Sequence, residues 1–442
     1  MIQTSGDSLT MPKSERPKQN VLLLWLMAAA IALLPMQIEL KSDLRLAPTD
    51  IILALTVLLG VGVWRGVHSA WSVWHIGLLS MFFIHFVFKN LRTGTFSQGD
   101  LVNKLGGMVV LNCLYICLTS LADSWDNVRW FLKVFVISVS LQNTVNCIAF
   151  LLCRYTGSDH PILMLLLSSG VDRLAGMLVD ANAYGGLLAV AFAITLLGGD
   201  NEKPLLDGWL RAACLLSLSI GLLLTSSRSA WLGIGFLSLY AGIRSPRLFL
   251  VIVLIATAGT CMIALSLNSD SFDQFVTLSS RQNTIDERVE ILHNAWEMFR
   301  TYPAFGAGLG AYFEEHGIIV HNSAMWFLAE FGVVGFLIFV GFMSWFIIKG
   351  VDAFQIALPA QRSIVAGLIA AHLAMLGLSL GIEATYQRHW WLVMGLLGAS
   401  YTLAVQDAEK KKRCNQTYLP THQENRNIGP EAPNDCIEAE TT

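Results

Sequence analysis

The feature that most limits the fold of this chain is a series of apolar runs, each near the same length, that recurs along most of the sequence. An α-helix needs about 20 apolar residues to cross the hydrocarbon core of a bilayer, and these runs approach that length. Within lipid, a helix satisfies all of its own backbone hydrogen bonds, which an isolated strand cannot do. The series therefore predicts an all-α polytopic membrane protein.

We expect about twelve membrane-spanning helices from these runs. Their approximate bounds are 20–38, 48–64, 71–88, 105–122, 129–153, 180–198, 209–224, 229–243, 248–267, 323–347, 361–382 and 388–405. The composition agrees, because 54% of the residues are hydrophobic and only 14% are charged, whereas soluble domains carry about 25% charged residues. The net charge of −3 gives no reason to expect a nucleic-acid partner.

The order of polar and apolar segments predicts three parts. Residues 1–19 form a polar N-terminal segment, and residues 20–405 form the transmembrane domain. Residues 406–442 form a polar tail without apolar periodicity, for which we expect disorder. Lysines and arginines favour the cytoplasmic side of a membrane protein, and the basic run at 410–413 follows the last predicted span. With an even number of spans, both termini are expected in the cytoplasm.

Several arginines fall on the predicted outer side, where the rule for topology gives them no reason to be. They are Arg154, Arg173, Arg228, Arg281, Arg288, Arg300 and Arg388. A group of cations on the translocated side indicates an anionic ligand there. The longest connection, about 268–322, lies on the same side and contains an amphipathic stretch that Pro303 should end. A loop of this length with its own helix is usually functional.

Ser227 and Arg228 lie in a short outer turn between two predicted spans. Hydroxyl groups and the planar guanidinium fork bind phosphate oxygens, and the N-terminus of the following helix also attracts anions. The alternative is a serine that caps the helix beside an arginine that extends to the membrane surface. Both interpretations remain open from this motif alone.

Two further motifs flank this turn in the sequence. Arg173 precedes Asp180 and Asn182, either of which can cap the next helix, so Arg173 is a candidate ligand-binding residue within a stretch that also has a structural role. Arg288 begins the polar face of the amphipathic helix in the outer loop, where an arginine by itself would usually be solvated.

His321 and Asn322 mark the return of the outer loop into the membrane. Histidine is the usual general base near neutral pH, although a histidine at an interface is more often structural. His316 and His321 lie near two glutamates, but their spacing matches no strong metal-binding pattern, so we expect no metal. The sequence also lacks the glycine-rich motifs of nucleotide-binding proteins.

Taken together, these motifs resemble the bacterial O-antigen ligase and O-antigen polymerase family, whose members are polytopic membrane glycosyltransferases. The resemblance covers about residues 173–335 and rests on three pieces in one order. They are Arg173-x-x-Gly176 with Asp180-x-Asn182, then Ser227-Arg228-Ser229-Ala230-Trp231, and then Arg288, Ala295-Trp296, Pro303-x-Phe305-Gly306-x-Gly308 and His321. The ligase branch carries a His-Asn pair followed by two glycines, here Gly332 and Gly335, and this spacing favours a ligase.

The resemblance implies a glycosyltransferase whose donor is a glycan linked to undecaprenyl pyrophosphate, on the periplasmic face of the bacterial inner membrane. A ligase moves that glycan to lipid A–core, and a polymerase moves it to another lipid-linked repeat unit. The partners implied are this donor, one of these glycan acceptors and the surrounding membrane lipid. The family implies neither a metal ion nor another cofactor.

Residue roles follow from the resemblance together with the chemistry of the side chains. Arg228 and Arg288 are the expected catalytic cations that stabilise the pyrophosphate leaving group. His321 is expected to accept the proton of the acceptor hydroxyl or to orient that hydroxyl, with inversion at the sugar carbon. The residues assigned to substrate binding are Arg173, Ser227 and Asn322.

Two other classes of protein are alternatives to this interpretation. A membrane transporter or flippase would place ionisable groups within the membrane, and Glu383 and Arg388 are the best candidates for that role. A purely structural membrane scaffold would leave the outer arginines without an explanation.

Overall fold

A computed structural model describes residues 21–39, 45–60, 73–94, 100–157, 160–167, 173–178, 180–199, 204–247, 249–250, 252–254, 257 and 278–417. Helices account for nearly all of the regular structure in this part of the chain. The exception is a short antiparallel pair of strands, Ile38–Glu39 with Arg45–Leu46, just before the second helix.

The helices are numbered along the chain. They are α1 (Val21–Ala32), α2 (Pro48–Gly60), α3 (Val73–Thr93), α4 (Gly107–Leu121), α5 (Trp125–Thr156), α6 (Pro161–Leu166), α7 (Ala181–Leu197), α8 (Gly208–Thr225), α9 (Arg228–Arg244), α10 (Leu278–Thr301), α11 (Ala311–His316), α12 (Ser323–Ile356), α13 (Pro359–Ser379) and α14 (Arg388–Thr417). A π-helical turn, Asp100–Gly106, leads directly into α4.

Six helical segments among the described residues are long and apolar enough to cross a membrane. They are α3, Asn103–Leu121, α5, α8, α12 and α13. The prediction of an all-helical protein with several membrane spans is therefore confirmed, but the predicted count of about twelve spans is not. Helices α1, α2 and α7 are apolar but shorter than a full span, and most of the predicted span 248–267 lies outside the described residues.

The described helices follow the predicted spans closely in position, and the longest extension beyond a predicted span is in α14. Helix α14 continues beyond residue 405 to Thr417, because the alanine, glutamate and lysine residues there favour helix without an apolar face. Residues 1–20 and 418–442, which hold most of the two predicted terminal segments, lie outside the described part. In the outer loop, α10 ends at Thr301, just before Pro303, as the sequence predicts.

Helix α7 lies at the centre of the bundle. All of its residues are buried, as expected for a helix that is apolar on every side. It packs against α8, α9 and α13. A Cβ atom on Gly186 would lie 2.4 Å from Leu378 of α13, and one on Gly185 would lie 2.7 Å from Ala230 of α9. The two glycines therefore permit the close approach of three helices.

Helix α12 is interrupted at Gly332, whose φ of 67° and ψ of −167° are not helical. Residues 303–308, which we call the insert, run alongside this interruption. Four backbone hydrogen bonds join them, with N···O distances of 2.9, 2.9, 2.9 and 3.2 Å: Ala307 to Ala329, Gly308 to Glu330, Val333 to Pro303 and Val334 to Ala304. The insert thus satisfies backbone groups that the broken helix leaves without partners, as the membrane interior requires.

One end of the bundle gathers the segments that the sequence singled out. At this end α8 finishes and α9 begins, α13 finishes and α14 begins, and both α7 and α12 start. We call it the His321 end, because His321 immediately precedes the start of α12 there. The basic residues at 410–413 lie in the last turns of α14, which runs away from this end.

Candidate functional site

The turn between α8 and α9 places Arg228 at the first position of a helix. Ser226 adopts a left-handed conformation with φ of 47°, which reverses the chain. Ser227 then caps α9, because its Oγ accepts a hydrogen bond from the backbone N–H of Ala230 at 3.1 Å. Arg228 itself is exposed at the start of α9. The serine therefore has the capping role, and the arginine projects from the positive end of the helix dipole.

The side chain of Asn182 joins two of the sequence motifs. Its Oδ1 accepts hydrogen bonds from Ser227 Oγ at 2.9 Å and from Arg173 Nη2 at 3.0 Å. Arg173 also donates from Nε to the carbonyl oxygen of Thr225 at 3.0 Å. Asp180 caps α7 by accepting from the Asn182 backbone N–H at 2.8 Å, and from its side-chain amide at 3.0 Å. The hydrogen bonds of Arg173 thus stabilise the turn that precedes Arg228.

Arg228 and Arg288 lie close enough to repel each other, although they belong to different motifs. Burial lowers the pKa of the half-buried Arg288 below its usual value, the positive charge of Arg228 lowers it further, and Asp180 opposes this effect. The guanidinium group of Arg288 stays charged near neutral pH, since the ordinary pKa of arginine exceeds about 12. Two cations held together in this way make a local field that favours an anion.

His321 belongs to the same electrostatic group. Burial lowers its pKa below the usual value, the charge of Arg288 lowers it further, and the carboxylate of Asp180 acts in the opposite direction. The imidazole is therefore largely neutral at pH 7, in the form that accepts a proton. The three residues assigned to catalysis from the sequence, Arg228, Arg288 and His321, are thus linked through Arg288 and Asp180.

Asn322 fixes the chain immediately after His321. Its Oδ1 accepts from the backbone N–H of Met325 at 3.0 Å and so caps α12. Its Nδ2 donates to the carbonyl oxygen of Leu380, at the end of α13, at 2.9 Å. Ser323 adds two hydrogen bonds, of 3.1 and 2.9 Å, to backbone groups of the segment between α13 and α14. These contacts give Asn322 a role in positioning His321.

The other outer arginines have separate surroundings. Arg388 forms a two-pronged ion pair with Asp50 of α2, with N···O distances of 2.8 and 2.6 Å. Arg300 pairs with Glu297 one turn away on the exposed face of α10 at 3.0 Å. Arg154 ends α5, and the side chain of Arg281 lies outside the described part of the structure. Only part of the predicted arginine group therefore meets at one place.

Glu383 lies in the segment between α13 and α14, at the His321 end. Its carboxylate accepts a hydrogen bond from the backbone N–H of Thr385 at 2.7 Å. Burial raises its pKa to about 7; hydrogen bonds from Thr385 and the charge of Lys104 oppose the rise, and Glu330 adds to it. A group at the end of the bundle does not match the position expected of an ion carrier halfway across the membrane.

The glutamates near His316 do not assemble a metal site in the described residues. His316 lies 3.9 Å from Glu315, and its ring contacts the ring of Tyr312 at an interplanar angle of 41°. Among the residues with described positions, no three His, Cys, Asp or Glu side chains converge as metal ligands would.

Sequence reasoning did not identify Asn182 as the acceptor shared by Arg173 and Ser227, nor Glu330 as a buried group beside the insert. A weak signal was present for both. Asn182 is a polar residue in the first turn of a fully apolar helix, and Glu330 is an acidic residue inside a long apolar run. Neither pattern names the partner, because the partners lie far away in the sequence.

Comparison with protein families adds an independent finding. The model of a family described as O-antigen ligase matches residues 212–340. This stretch begins in α8 and ends within α12, and it includes Arg228, Arg288 and His321. A comparison with curated proteins found no match.

Proposed function

Because residues 212–340 match the model of a family described as O-antigen ligase, we propose that the chain is a member of this family and that it transfers a glycan from undecaprenyl pyrophosphate to lipid A–core. Members of this family are membrane enzymes that use a lipid-linked glycan donor and a glycan acceptor. The proposal adds a particular donor, a particular acceptor and a role for each residue of the site.

The feature that carries the proposal is the position of two arginines at the His321 end: Arg228 begins α9, and Arg288 of α10 lies near enough that the charge of Arg228 lowers its pKa. A pyrophosphate leaving group gains negative charge as its bond to the sugar breaks. Cations that are already fixed in place stabilise this charge without having to reorganise during the reaction. A bound pyrophosphate would offset the repulsion between the positive charges of the two arginines. The contact between the arginines and the pyrophosphate would therefore serve both binding and catalysis.

His321 supplies the second half of the proposed mechanism. Its lowered pKa leaves the imidazole neutral, and its interaction with Arg288 places it beside the anion-binding group. There it would accept the proton of the attacking acceptor hydroxyl, which is typically worth about 10²–10⁴ in rate. Attack from the face opposite the pyrophosphate would invert the configuration at the sugar carbon.

The proposed catalytic residues Arg228 and His321 are held in position by Arg173, Ser227 and Asn322. Arg173 and Ser227 share the acceptor Asn182 and so hold the turn that presents Arg228. Asn322 holds the backbone next to His321. We expect any contact of these three with substrate to be additional to this positioning.

The distribution of charge supports a periplasmic site in the bacterial inner membrane. The basic run at 410–413 lies in the end of α14 that points away from His321, and Lys349 lies in the second half of α12, also away from it. Lysine and arginine next to membrane spans favour the cytoplasmic side. The His321 end would then face the periplasm, with both termini in the cytoplasm.

The test is a transfer assay with purified protein, a lipid-linked glycan donor and a chelator of divalent metals. Rough lipopolysaccharide and a second lipid-linked repeat unit are offered in separate reactions. We expect the glycan to appear on lipopolysaccharide. Ladders on the lipid-linked acceptor would instead identify a polymerase that uses the same site. Absence of transfer to both acceptors would overturn the proposed function.

A further inference from the structure

Glu330 lies within the apolar run of α12 and yet binds backbone groups of another helix. Its side chain is 1% exposed and stands two residues before the interruption at Gly332. One carboxylate oxygen accepts from the N–H of Gly310 at 2.8 Å, and the other from the N–H of Tyr312 at 3.4 Å. These two groups belong to the start of α11. The carboxylate therefore fixes α11 on the face of α12.

Tyr312 extends this connection to α10. Its hydroxyl donates to the carbonyl oxygen of Ile291 at 3.0 Å, and its side chain is buried. Ile291 lies one turn after Arg288 on the same helix. A short series of contacts thus runs from Glu330 through Tyr312 to the turn of α10 that carries Arg288.

Two lysines from other elements meet the same assembly. Lys104 of the π-helical turn lies 4.0 Å from Glu330, and Lys89 of α3, which is buried, forms an ion pair with Glu314 of α11. A π-helical turn inside a helical segment often marks a functional site. Helix α11 is therefore held by α3 and by Glu330 of α12, which also lies beside the π-helical turn, while α11 holds α10 through Tyr312.

We propose that Glu330 and Tyr312, which we call the latch pair, set the position of Arg288 relative to His321 and are positioning residues for glycan transfer. The inference rests on the proposed function for its chemistry. Helix α11 stands between the two groups in the chain, since α10 precedes it and His321 follows it. The leaving-group cation and the base must act on one sugar at once, and a displacement of about 1 Å can cost about 10²-fold in rate.

The variant that tests the latch pair is Tyr312→Phe, which removes one hydroxyl and keeps the ring. We expect kcat to fall by about 10-fold while the KM for the donor changes little, because Arg228 still binds the pyrophosphate. The matched control is Tyr155→Phe, since Tyr155 is 93% exposed at the end of α5. Rates are divided by the concentration of donor-binding sites. A lower yield of folded protein therefore does not lower the measured kcat.

A second measurement does not depend on transfer. Because the charge of Arg288 lowers the pKa of His321, a shift of Arg288 away from it should raise that pKa. The titration of His321 is followed by NMR in protein labelled at histidine, with the signal assigned from His321→Gln. We expect an upward shift in Tyr312→Phe and none in Tyr155→Phe.

The two measurements separate failure of the latch from failure of the proposed function. An unchanged His321 titration in both Tyr312→Phe and Glu330→Gln would overturn the latch, whatever the transfer assay shows. An upward shift without any transfer by the wild-type protein would support the latch and reject the proposed reaction. An unchanged kcat per donor-binding site in an active enzyme would also overturn the latch.

Discussion

Arg228 and Arg288 matter as a pair, because the charge of Arg228 lowers the pKa of Arg288. Arg228 stands at the start of α9, while Arg288 comes from the separate helix α10. A group that must bind pyrophosphate gains from arginine in particular, since the planar fork donates two parallel hydrogen bonds and lysine offers only a point charge.

We therefore expect Arg228→Lys to reduce kcat/KM for transfer by about 10-fold to 100-fold, although the charge is kept. Initial rates at low donor concentration measure this value. Arg300→Lys is the matched control, because Arg300 lies on the exposed face of α10 and pairs with Glu297. Equal rates for Arg228→Lys and wild type would remove Arg228 from the binding of the leaving group.

Asp180 allows a test of the base through pH. As a base, His321 must be neutral, so activity is lost as the pH falls through its pKa. The Asp180 carboxylate acts to raise that pKa, and its removal should lower it. Asp180→Asn, which keeps a good helix cap, should move the acid limb of the kcat profile to lower pH. Asp207→Asn, at the cap of α8 on the opposite end, should leave the limb unchanged.

For individual residues, the sequence identified the candidate side chains but not the residues that they contact. Arg228, Arg288 and His321 stood out because charge and imidazole are unusual beside apolar runs. Their association could not be derived, since it depends on how α9, α10 and α12 pack. The shared acceptor Asn182 was seen in the sequence only as one of two possible caps, and the structure gives the cap to Asp180.

The broken helix α12 shows what a single element contributes to the site. Gly332 has φ of 67°, and a Cβ atom there would lie 2.5 Å from the backbone carbonyl of Ala304 in the insert. Any other residue would strain the backbone and displace the insert, which connects α10 to α11 and pairs with α12 through backbone hydrogen bonds.

We expect Gly332→Ala to lower the free energy of unfolding by about 1–3 kcal/mol and to reduce transfer strongly. The thermal unfolding midpoint in detergent and the transfer rate are measured on the same preparation. Gly235→Ala in α9 is the control, because a Cβ atom there meets nothing within 4 Å. Wild-type behaviour of Gly332→Ala would show that the insert tolerates displacement.

The bounds of most helices followed from hydropathy, while the interruption in α12 did not. Its run from residue 323 to 348 is apolar on both sides of Glu330, and glycine is common inside membrane helices. What requires the interruption is the insert, which precedes α12 in the chain and packs against it only in the folded protein. The predicted number of full spans is not confirmed among the described residues, in part because the central helix α7 is apolar on every side but shorter than a span.

The whole molecule has two chemically different ends, and its orientation can be tested directly. We expect a membrane-impermeant maleimide to label Trp296→Cys, on the exposed face of α10, in cells whose outer membrane has been permeabilised. Native Cys414, near the far end of α14, should react only after the inner membrane is opened. Labelling in the reverse order would place the site in the cytoplasm and contradict the proposed donor.

The ion pair between Arg388 and Asp50 joins residues that are 338 positions apart. During synthesis, α2 emerges from the ribosome long before α14, so Asp50 has no arginine partner until α14 has been made. A carboxylate without its cation is costly next to lipid. In a fragment that stops before α14, Asp50 would lack Arg388 permanently. The pair therefore makes the packing of α2 depend on α14, so the two helices are expected to gain stability together.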